Sequence, residues 1–395
     1  GWDVQRVRDT ISAEITSRLT TEGLCAAGDD PNLLTQDLTL PKVIDGKRWA
    51  LISWTSSDPT VIAVSDKNQQ TADTLFDPYV GVVKTPTQDT TVTLTATVTF
   101  QLTDAQEQTV TVSKVFTVTV KGQQTNMREQ LLAKLDAGFA SYGGLRDAVT
   151  GLPLTQRDGK YLAANDIHFP TTRDFGVDGK YTPVTIASSD TDTIVPPDVN
   201  NAARAEVYRP LPGEAAKDVT VTVTITDSDS GVSASRSFLI AVQPLTQQEI
   251  DAELALMAAV RAHYFDGIRN ANTDAKNILT DLHPFREAYL DADGQLVWVY
   301  DHADLTGSGI VPVAMDGWTE SEQWRLFRST DPDVISHENL LVTRAAGDKT
   351  VTVSSELSSE TLGKYAARYP DNKDFQALSC QPVSVELTVP GTEPV

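Results

Sequence analysis

A seven-residue motif occurs three times in this chain, and it constrains the fold more than any other feature. The motif reads SSDPTVI at residues 56–62, SSDTDTI at 188–194 and STDPDVI at 329–335. The copies start 132 and 141 residues apart. This spacing exceeds the roughly 20 to 50 residues of solenoid repeats and is close to the size of an independent domain. The sequence therefore predicts three related domains in tandem.

The segments around the motif repeat with it. Each unit begins with a helical apolar pattern, and the third also has the Thr-x-x-Glu spacing of a capping box at Thr246 and Glu249. Short strands with alternating polar and apolar residues follow, for example at 91–98 and 116–120. We predict a mainly β chain of three antiparallel β-sandwich domains, each preceded by an α-helix. The predicted domains are residues 1–122, 123–244 and 245–395.

The order of motifs in the first unit resembles the atrophied bacterial immunoglobulin-like (Ig-like) domains. The matching segments are DLTLP at 37–41, ISWTSSDPTVI at 52–62, GVVKTP at 81–86, TLTAT at 93–97 and FTVTV at 116–120. The second unit lacks the tryptophan and carries Thr191 in place of Pro59, and the third unit departs most. Such domains occur in tandem in bacterial surface and secreted proteins, often beside glycosidase domains. The resemblance implies Ig-like sandwiches, an extracellular location and no catalytic residues.

The net charge limits the classes of partner, and the positions of the two cysteines bear on disulfide formation. The chain has 32 basic and 54 acidic residues and a formal net charge of −22. This charge disfavours nucleic acids and anionic membranes, and no apolar run is long enough to predict membrane insertion within this segment. Cys25 and Cys380 lie in different predicted domains, so we do not expect them to pair. We expect a monomer that is a segment of a larger bacterial surface or secreted precursor.

The sequence offers little chemistry for catalysis. It contains no nucleophile elbow, phosphate-binding loop or zinc-ligand pattern, so we expect no catalytic residues, no metal and no cofactor. The pairs Asp291/Asp293 and Asp227/Asp229 lie close to a glycine, which favours tight turns over a calcium loop.

The third unit carries two insertions, at about 285–325 and about 357–380. The first predicts a β-hairpin around Asp293 and Gly294, followed by aromatic residues. Trp298, Tyr300 and Trp318 are the candidate ligand-binding residues, because flat aromatic side chains on loops can stack on sugar rings. The alternative is that these side chains anchor the longer loops to the domain.

The sequence thus favours a non-enzymatic extracellular segment, in which an elongated row of Ig-like repeats acts as a stalk or adhesive scaffold. One alternative is a module that binds glycans or host surface proteins through the third domain. The other is an ancillary region of a larger surface carbohydrate-active enzyme.

Overall fold

A computed structural model describes residues 4–44, 47–66, 76–101, 109–171, 175–176, 182, 184–197, 204–315 and 325–394. Its helices are α1 Val4–Arg18, α2 Thr21–Leu24, α3 Gln123–Tyr142, α4 Gln247–Ala262, α5 Tyr264–Ile268, α6 Tyr365–Arg368 and α7 Lys373–Gln376, with a 3-10 turn at His302–Asp304. The strands of the first half are β1 Leu38–Leu40, β2 Val43–Ile44, β3 Lys47–Ser56, β4 Ile62–Ser65, β5 Tyr79–Val83, β6 Thr90–Gln101, β7 Thr109–Val120, β8 Arg146–Asp147, β9 Gln156–Arg157, β10 Lys160–Ala163 and β11 Ile167–His168. Those of the second half are β12 Val184–Ser188, β13 Ile194–Val195, β14 Arg204–Val207, β15 Lys217–Thr226, β16 Ser233–Val242, β17 Glu287–Leu290, β18 Leu296–Val299, β19 Ile310–Val313, β20 Arg328–Ser329, β21 Lys349–Ser359 and β22 Gln381–Val389. The predicted fold class, mainly β with leading helices, is confirmed.

The chain forms two compact units. One comprises residues 1–135 and 225–234, and the other comprises residues 136–224 and 235–395. Helices begin at Gln123, where the second domain is predicted to start, and at Gln247, two residues after the predicted start of the third. The three predicted domain boundaries stay a prediction.

The first unit is a sandwich of two antiparallel sheets, with strand orders β1-β5-β4 and β2-β3-β6-β7. One apolar cluster joins both sheets to α1, whose Ile11 and Ile15 are buried. Trp54 lies in this cluster at 6% exposure, 5.6 Å from the ring of Phe116. Its indole Nε1 donates to the Pro41 carbonyl at 2.8 Å, so the polar end of a buried tryptophan is satisfied. Trp54 is therefore a core residue of this sandwich.

Within the described residues, three sheets lie wholly or largely in the second unit, with strand orders β12-β15-β16-β10-β9, β13-β14-β11-β8 and β18-β17-β19-β21-β20, and β22 pairs with β21. Strands β15 and β22 turn alternate apolar residues toward the core, as in a half-buried strand, whereas β16 and β21 each end in three consecutive buried residues. The pair β10–β16 is parallel, which the antiparallel prediction did not include.

The repeated motif forms the same hydrogen bonds each time it occurs. Ser57, Ser189 and Thr330 each donate a backbone N–H to the carbonyl of a facing strand residue, at 2.9, 2.9 and 3.0 Å. The same three hydroxyls accept the backbone N–H of that facing residue at 2.9 Å in every copy. The strand that leads into each motif also pairs in one order with the last two strands of its repeat, β3-β6-β7, β12-β15-β16 and β20-β21-β22. Three equivalent structures therefore underlie the three sequence motifs.

A second interaction is repeated at the short segment that starts each sandwich, DLTLP at 37–41, DIHFP at 166–170 and DLHP at 281–284. Asp37, Asp166 and Asp281 each accept a backbone N–H, from Val83 at 2.9 Å, Val207 at 2.9 Å and Val342 at 2.8 Å. The carboxylate thereby ties the start of each sandwich to the chain after the turn motif, at strands β5 and β14 in the first two repeats and at the isolated bridge residue Val342 in the third. Hydrogen bonds to a charged acceptor are stronger than neutral ones, which accounts for an aspartate at this position.

The capping box predicted at the third helix is confirmed. The Thr246 hydroxyl accepts the Glu249 N–H at 3.1 Å, and Glu249 Oε2 accepts the Thr246 N–H at 2.8 Å. Two of the amides that α4 would otherwise leave without a partner are satisfied in this way.

The predicted hairpin of the first insertion is also confirmed. Strands β17 and β18 are antiparallel, with Leu290 opposite Leu296. Asp291 Oδ1 accepts the N–H groups of Asp293 and Gln295, and Gly294 has a φ of 76°, which favours glycine. The aspartates at this turn therefore act as turn residues, as predicted.

Candidate functional site

Two of the three candidate ligand-binding residues lie at one pocket. Trp298 in β18 and Tyr300 just beyond it are two positions apart, which places their side chains on the same face of the strand. With Asp266, Arg269, Asn270 and His283 they line a pocket of about 480 Å³, which we name the hairpin pocket. Its volume lies within the range of small-molecule sites, about 300 to 1,000 Å³. Trp318 lies outside the described residues.

The Trp298 side chain packs against its neighbours and also lines the hairpin pocket. Its ring centroid lies 4.7 Å from that of Phe285, in an edge-to-face arrangement. A Cβ atom built at Gly267 would lie 2.4 Å from Cζ3 of Trp298, so the indole covers this glycine of α5. The tryptophan therefore holds α5 against the hairpin, and the part of its ring that is left open forms one wall of the pocket.

Tyr300 has a similar double role. Its hydroxyl donates to the Gly267 carbonyl at 2.7 Å, and its ring meets the His283 ring edge-on at a centroid distance of 4.8 Å. Burial raises the pKa of this phenol. At 37% exposure, a substantial part of Tyr300 still faces solvent. Both the ligand-binding interpretation and the anchoring interpretation of these aromatics thus have a physical basis.

The polar side chains of the hairpin pocket are contributed by α5 and the segment after it, which sequence reasoning missed. Asp266 Oδ1 lies 3.9 Å from Arg269 Nε, and Asp266 Oδ2 lies 3.3 Å from His263 Nδ1. Asn270 adopts a positive φ of 54° and donates from Nδ2 to the Asp281 carbonyl at 3.0 Å. The signal in the sequence was weak, because these residues precede Trp298 by 28 to 32 positions.

A second surface lies between residues of the second and third predicted domains, inside the second unit. Lys364, Tyr365 and Arg368 contact Asp166, Val207, Tyr208 and Arg209 there, and we name this surface the joint. Tyr365 and Phe375 of the second insertion are 1% and 0% exposed, so they serve as core residues of the insertion. The Tyr365 hydroxyl accepts the backbone N–H of Arg209 at 2.6 Å. The pKa of Tyr365 is raised to about 12, chiefly by burial.

Two cationic side chains reinforce the joint. One is Arg368 of α6, and the other is Lys364, which immediately precedes that helix. Lys364 Nζ donates to Asp166 Oδ1 at 2.9 Å and to the Val207 carbonyl at 2.6 Å. The guanidinium carbon of Arg368 lies 3.5 Å from the ring centroid of Tyr208, a cation–π contact. Burial acts to raise the pKa of Asp166, but Lys364 and the Val207 N–H lower it below its usual value.

Arg209 fixes the connection between the two predicted domains. Its guanidinium donates to the carbonyls of Gln243 and Pro244 at 2.9 and 2.8 Å. It also forms a two-pronged pair with the Glu249 carboxylate, at 3.1 and 3.2 Å. Such planar, bidentate pairs add geometric specificity as well as energy. The short connection is therefore held by side-chain contacts on both sides.

A polar cavity of about 350 Å³ adjoins the joint. Glu253 of α4 lies on its lining, and its Oε2 accepts a hydrogen bond from the Ser359 hydroxyl at 2.7 Å. Burial raises the pKa of this carboxyl, and the Ser359 contact opposes that shift only in part. Within the described residues, no group of three or more His, Cys, Asp or Glu side chains is placed to hold a metal ion. No helix in that part of the chain is long and apolar enough to cross a bilayer.

Comparisons with known proteins give weak likenesses only. No protein-family model matches this chain, and a search of the curated proteins also found no match. Among solved structures, an endo-fucoidan hydrolase variant of glycoside hydrolase family 107 matches at 13% identity and a TM-score of 0.16, over 92% of this chain and 43% of its own length. The zebrafish RET cadherin-like domains 1 to 4 match at 8% identity and a TM-score of 0.19, over 95% of this chain and 75% of theirs. A Drosophila N-cadherin EC1-3 structure matches at 9% identity and a TM-score of 0.17, over 87% of this chain and 89% of its own.

These TM-scores are too low to carry an argument about function. This chain spans less than half of the hydrolase that it matches. The similarity to cadherin-type β-domains is weak, and membership in the atrophied bacterial Ig-like domains stays a prediction.

Proposed function

We propose that this chain is a non-enzymatic, extracellular scaffold segment of a bacterial surface protein, built from three helix-led Ig-like repeats. The observation that carries the proposal is the joint. A spacer holds its modules in a defined orientation, and interfaces between domains of one chain otherwise allow relative motion by default. The contacts of Tyr365, Lys364 and Arg368 with the preceding repeat oppose such motion.

Limited proteolysis of the full chain tests this proposal. Proteinase K should leave residues 243–246 uncut in the wild type, because Arg209 and α6 hold this connection. The Lys364→Ala/Arg368→Ala variant should be cut there at least about tenfold faster, since cleavage follows the population of the open form. The matched control is Arg261→Ala/Lys349→Ala, which removes two exposed cations away from the joint. Cleavage of the wild type at the variant's rate would refute a held joint.

A second candidate function is recognition of a glycan or a host surface protein through the third repeat. The hairpin pocket favours it, because aromatic and polar side chains converge there on an open cavity. Binding to an array of glycans and host matrix proteins tests this candidate. A hit that the Asp266→Asn variant loses supports it, and silence of a folded sample leaves the scaffold proposal alone.

A further inference from the structure

The polar groups of the hairpin pocket are held in place and keep capacity for further hydrogen bonds. Among the described residues, the Arg269 guanidinium donates one hydrogen bond, from Nη1 to the Asn272 carbonyl at 3.2 Å. His283 Nδ1 lies 2.9 Å from the Pro284 carbonyl. A carbonyl only accepts, so Nδ1 donates this hydrogen bond, and Nε2 makes no hydrogen bond to the described residues. The pocket therefore offers donors and acceptors side by side.

Hydrogen bonds to backbone carbonyls further limit the conformational freedom of two pocket side chains. Tyr300 is tied to α5 through the Gly267 carbonyl, and Asn270 is tied to the Asp281 carbonyl. Each uses one hydrogen bond to hold its position, while the Tyr300 oxygen and the Asn270 amide oxygen keep lone pairs for a ligand. Groups that are already ordered lose little entropy on binding, which favours affinity in a small site.

The charges of the pocket point to a neutral ligand. Asp266 and Arg269 carry opposite charges and lie 3.9 Å apart, so they cancel at the pocket. The chain as a whole carries a net charge of −22, which disfavours approach of anions. A ligand that suits this site has groups that donate and accept together, without a formal charge. Vicinal hydroxyl groups have this property.

The aromatic walls of the hairpin pocket also suit a sugar ring. Trp298 and Tyr300 present partly open aromatic surface, and the C–H face of a sugar ring is apolar enough to pack against it. We infer that the hairpin pocket binds a neutral saccharide, whose adjacent hydroxyls pair with Asp266 and Arg269 while its ring contacts Tyr300 and the open part of Trp298. This inference rests on the second candidate function and names its ligand class.

Nuclear magnetic resonance titration of the full chain tests the inference. The probes are methyl α-mannoside, methyl β-galactoside, lactose and cellobiose as neutral sugars, with 3′-sialyllactose as the anionic comparison. At least one neutral sugar should shift the Trp298 indole N–H signal and saturate with a Kd below about 10 mM. The Asp266→Asn and His283→Ala variants should each weaken that binding by at least about tenfold.

Asp333→Asn is the matched control, because it removes one exposed carboxylate far from the hairpin in sequence and outside the pocket lining. It should change the Kd by less than about twofold. Absence of saturable shifts with every neutral sugar overturns the inference, as does tighter binding of 3′-sialyllactose or binding that neither pocket variant weakens. If the array finds a host protein that depends on Asp266 while no sugar binds, recognition through the third repeat stands and the saccharide inference fails.

Discussion

The carboxylate of Asp281 accepts the backbone N–H of Val342 at 2.8 Å across 61 residues of sequence. Asp37 with Val83 and Asp166 with Val207 form the same bond at 2.9 Å. An acidic side chain thus joins the start of each repeat's sandwich to a valine that follows the turn motif. This hydrogen bond is present in all three repeats, although the sequence of the third repeat departs most from the other two.

Replacing this aspartate should weaken the repeat. Asp281→Ala leaves the Val342 N–H without its charged acceptor, and we expect a loss of about 1 to 2 kcal/mol in the free energy of unfolding. Asp281→Asn retains an acceptor oxygen and should cost less than half as much. Urea unfolding followed by tryptophan fluorescence measures both. Equal losses for the two variants would mean that the contact contributes through charge alone.

The contact between Gly267 and Trp298 predicts a steric effect. Gly267→Ala would place a Cβ 2.4 Å from the indole, so we expect a destabilisation of about 1 to 3 kcal/mol. Trp298→Ala should cost about 2 to 4 kcal/mol, because it removes packing against Phe285. In the double variant the smaller residue makes room for the alanine at 267, so the combined loss should fall short of the sum by about 1 kcal/mol.

Gly347→Ala is the control for this cycle, because a Cβ at Gly347 meets no atom within 4 Å. It should leave the free energy of unfolding within about 0.5 kcal/mol of the wild-type value. Strict additivity of Gly267→Ala and Trp298→Ala in chemical unfolding would show that the two residues do not touch. The expected instability of Trp298→Ala also makes Asp266 a better probe of ligand binding than the tryptophan.

Much of the fold could be predicted from the sequence, because it depends on local patterns. Turn residues such as Asp293 and Gly294, the capping pair Thr246 and Glu249, and the apolar register of Trp54 each have a cause within a few neighbouring positions. The parallel pairing of β10 with β16 and the α6–α7 pair of the second insertion had no such local signal. Their formation depends on tertiary packing.

The sites could be predicted only in part, for the same reason. Trp298 and Tyr300 stood out as aromatics on an inserted hairpin, whereas Asp266 and Arg269 looked like ordinary exposed helix residues. The joint depends on contacts such as Arg209 with Tyr365, which are 156 residues apart in sequence. A single sequence gives no indication of such a pairing.

Glu253 predicts a dependence of stability on pH. Burial raises its pKa above the usual 4.5, so the folded protein holds this proton at pH values where the unfolded chain has lost it. Stability is therefore lost as the pH rises from 4.5 through the raised pKa. Glu253→Gln removes this penalty and should be more stable than the wild type at pH 7. Urea unfolding at pH 4 and pH 7 checks the sign, since the advantage should shrink at pH 4. An advantage that grows on acidification would contradict it.

We predict that the Tyr365 hydroxyl stabilises the joint. Tyr365→Phe leaves the partly buried Arg209 N–H without its acceptor, and we expect a loss of about 1 to 2 kcal/mol in the free energy of unfolding. Tyr369→Phe is the control, because its ring packs on Tyr365 and Phe375 and it makes no hydroxyl hydrogen bond within the described residues. Thermal unfolding should leave this control close to the wild type. A similar loss in both variants would remove the specific role assigned to the Tyr365 hydroxyl.

The most direct test of the scaffold is the distance distribution across the joint. Spin labels at Ala216→Cys and Ala303→Cys, both exposed, would be introduced in a Cys25→Ser/Cys380→Ser background. Electron–electron double resonance should then give one narrow distance peak, which broadens in the Lys364→Ala/Arg368→Ala variant. A broad distribution in the chain with an intact joint, unchanged by the double substitution, would contradict the account.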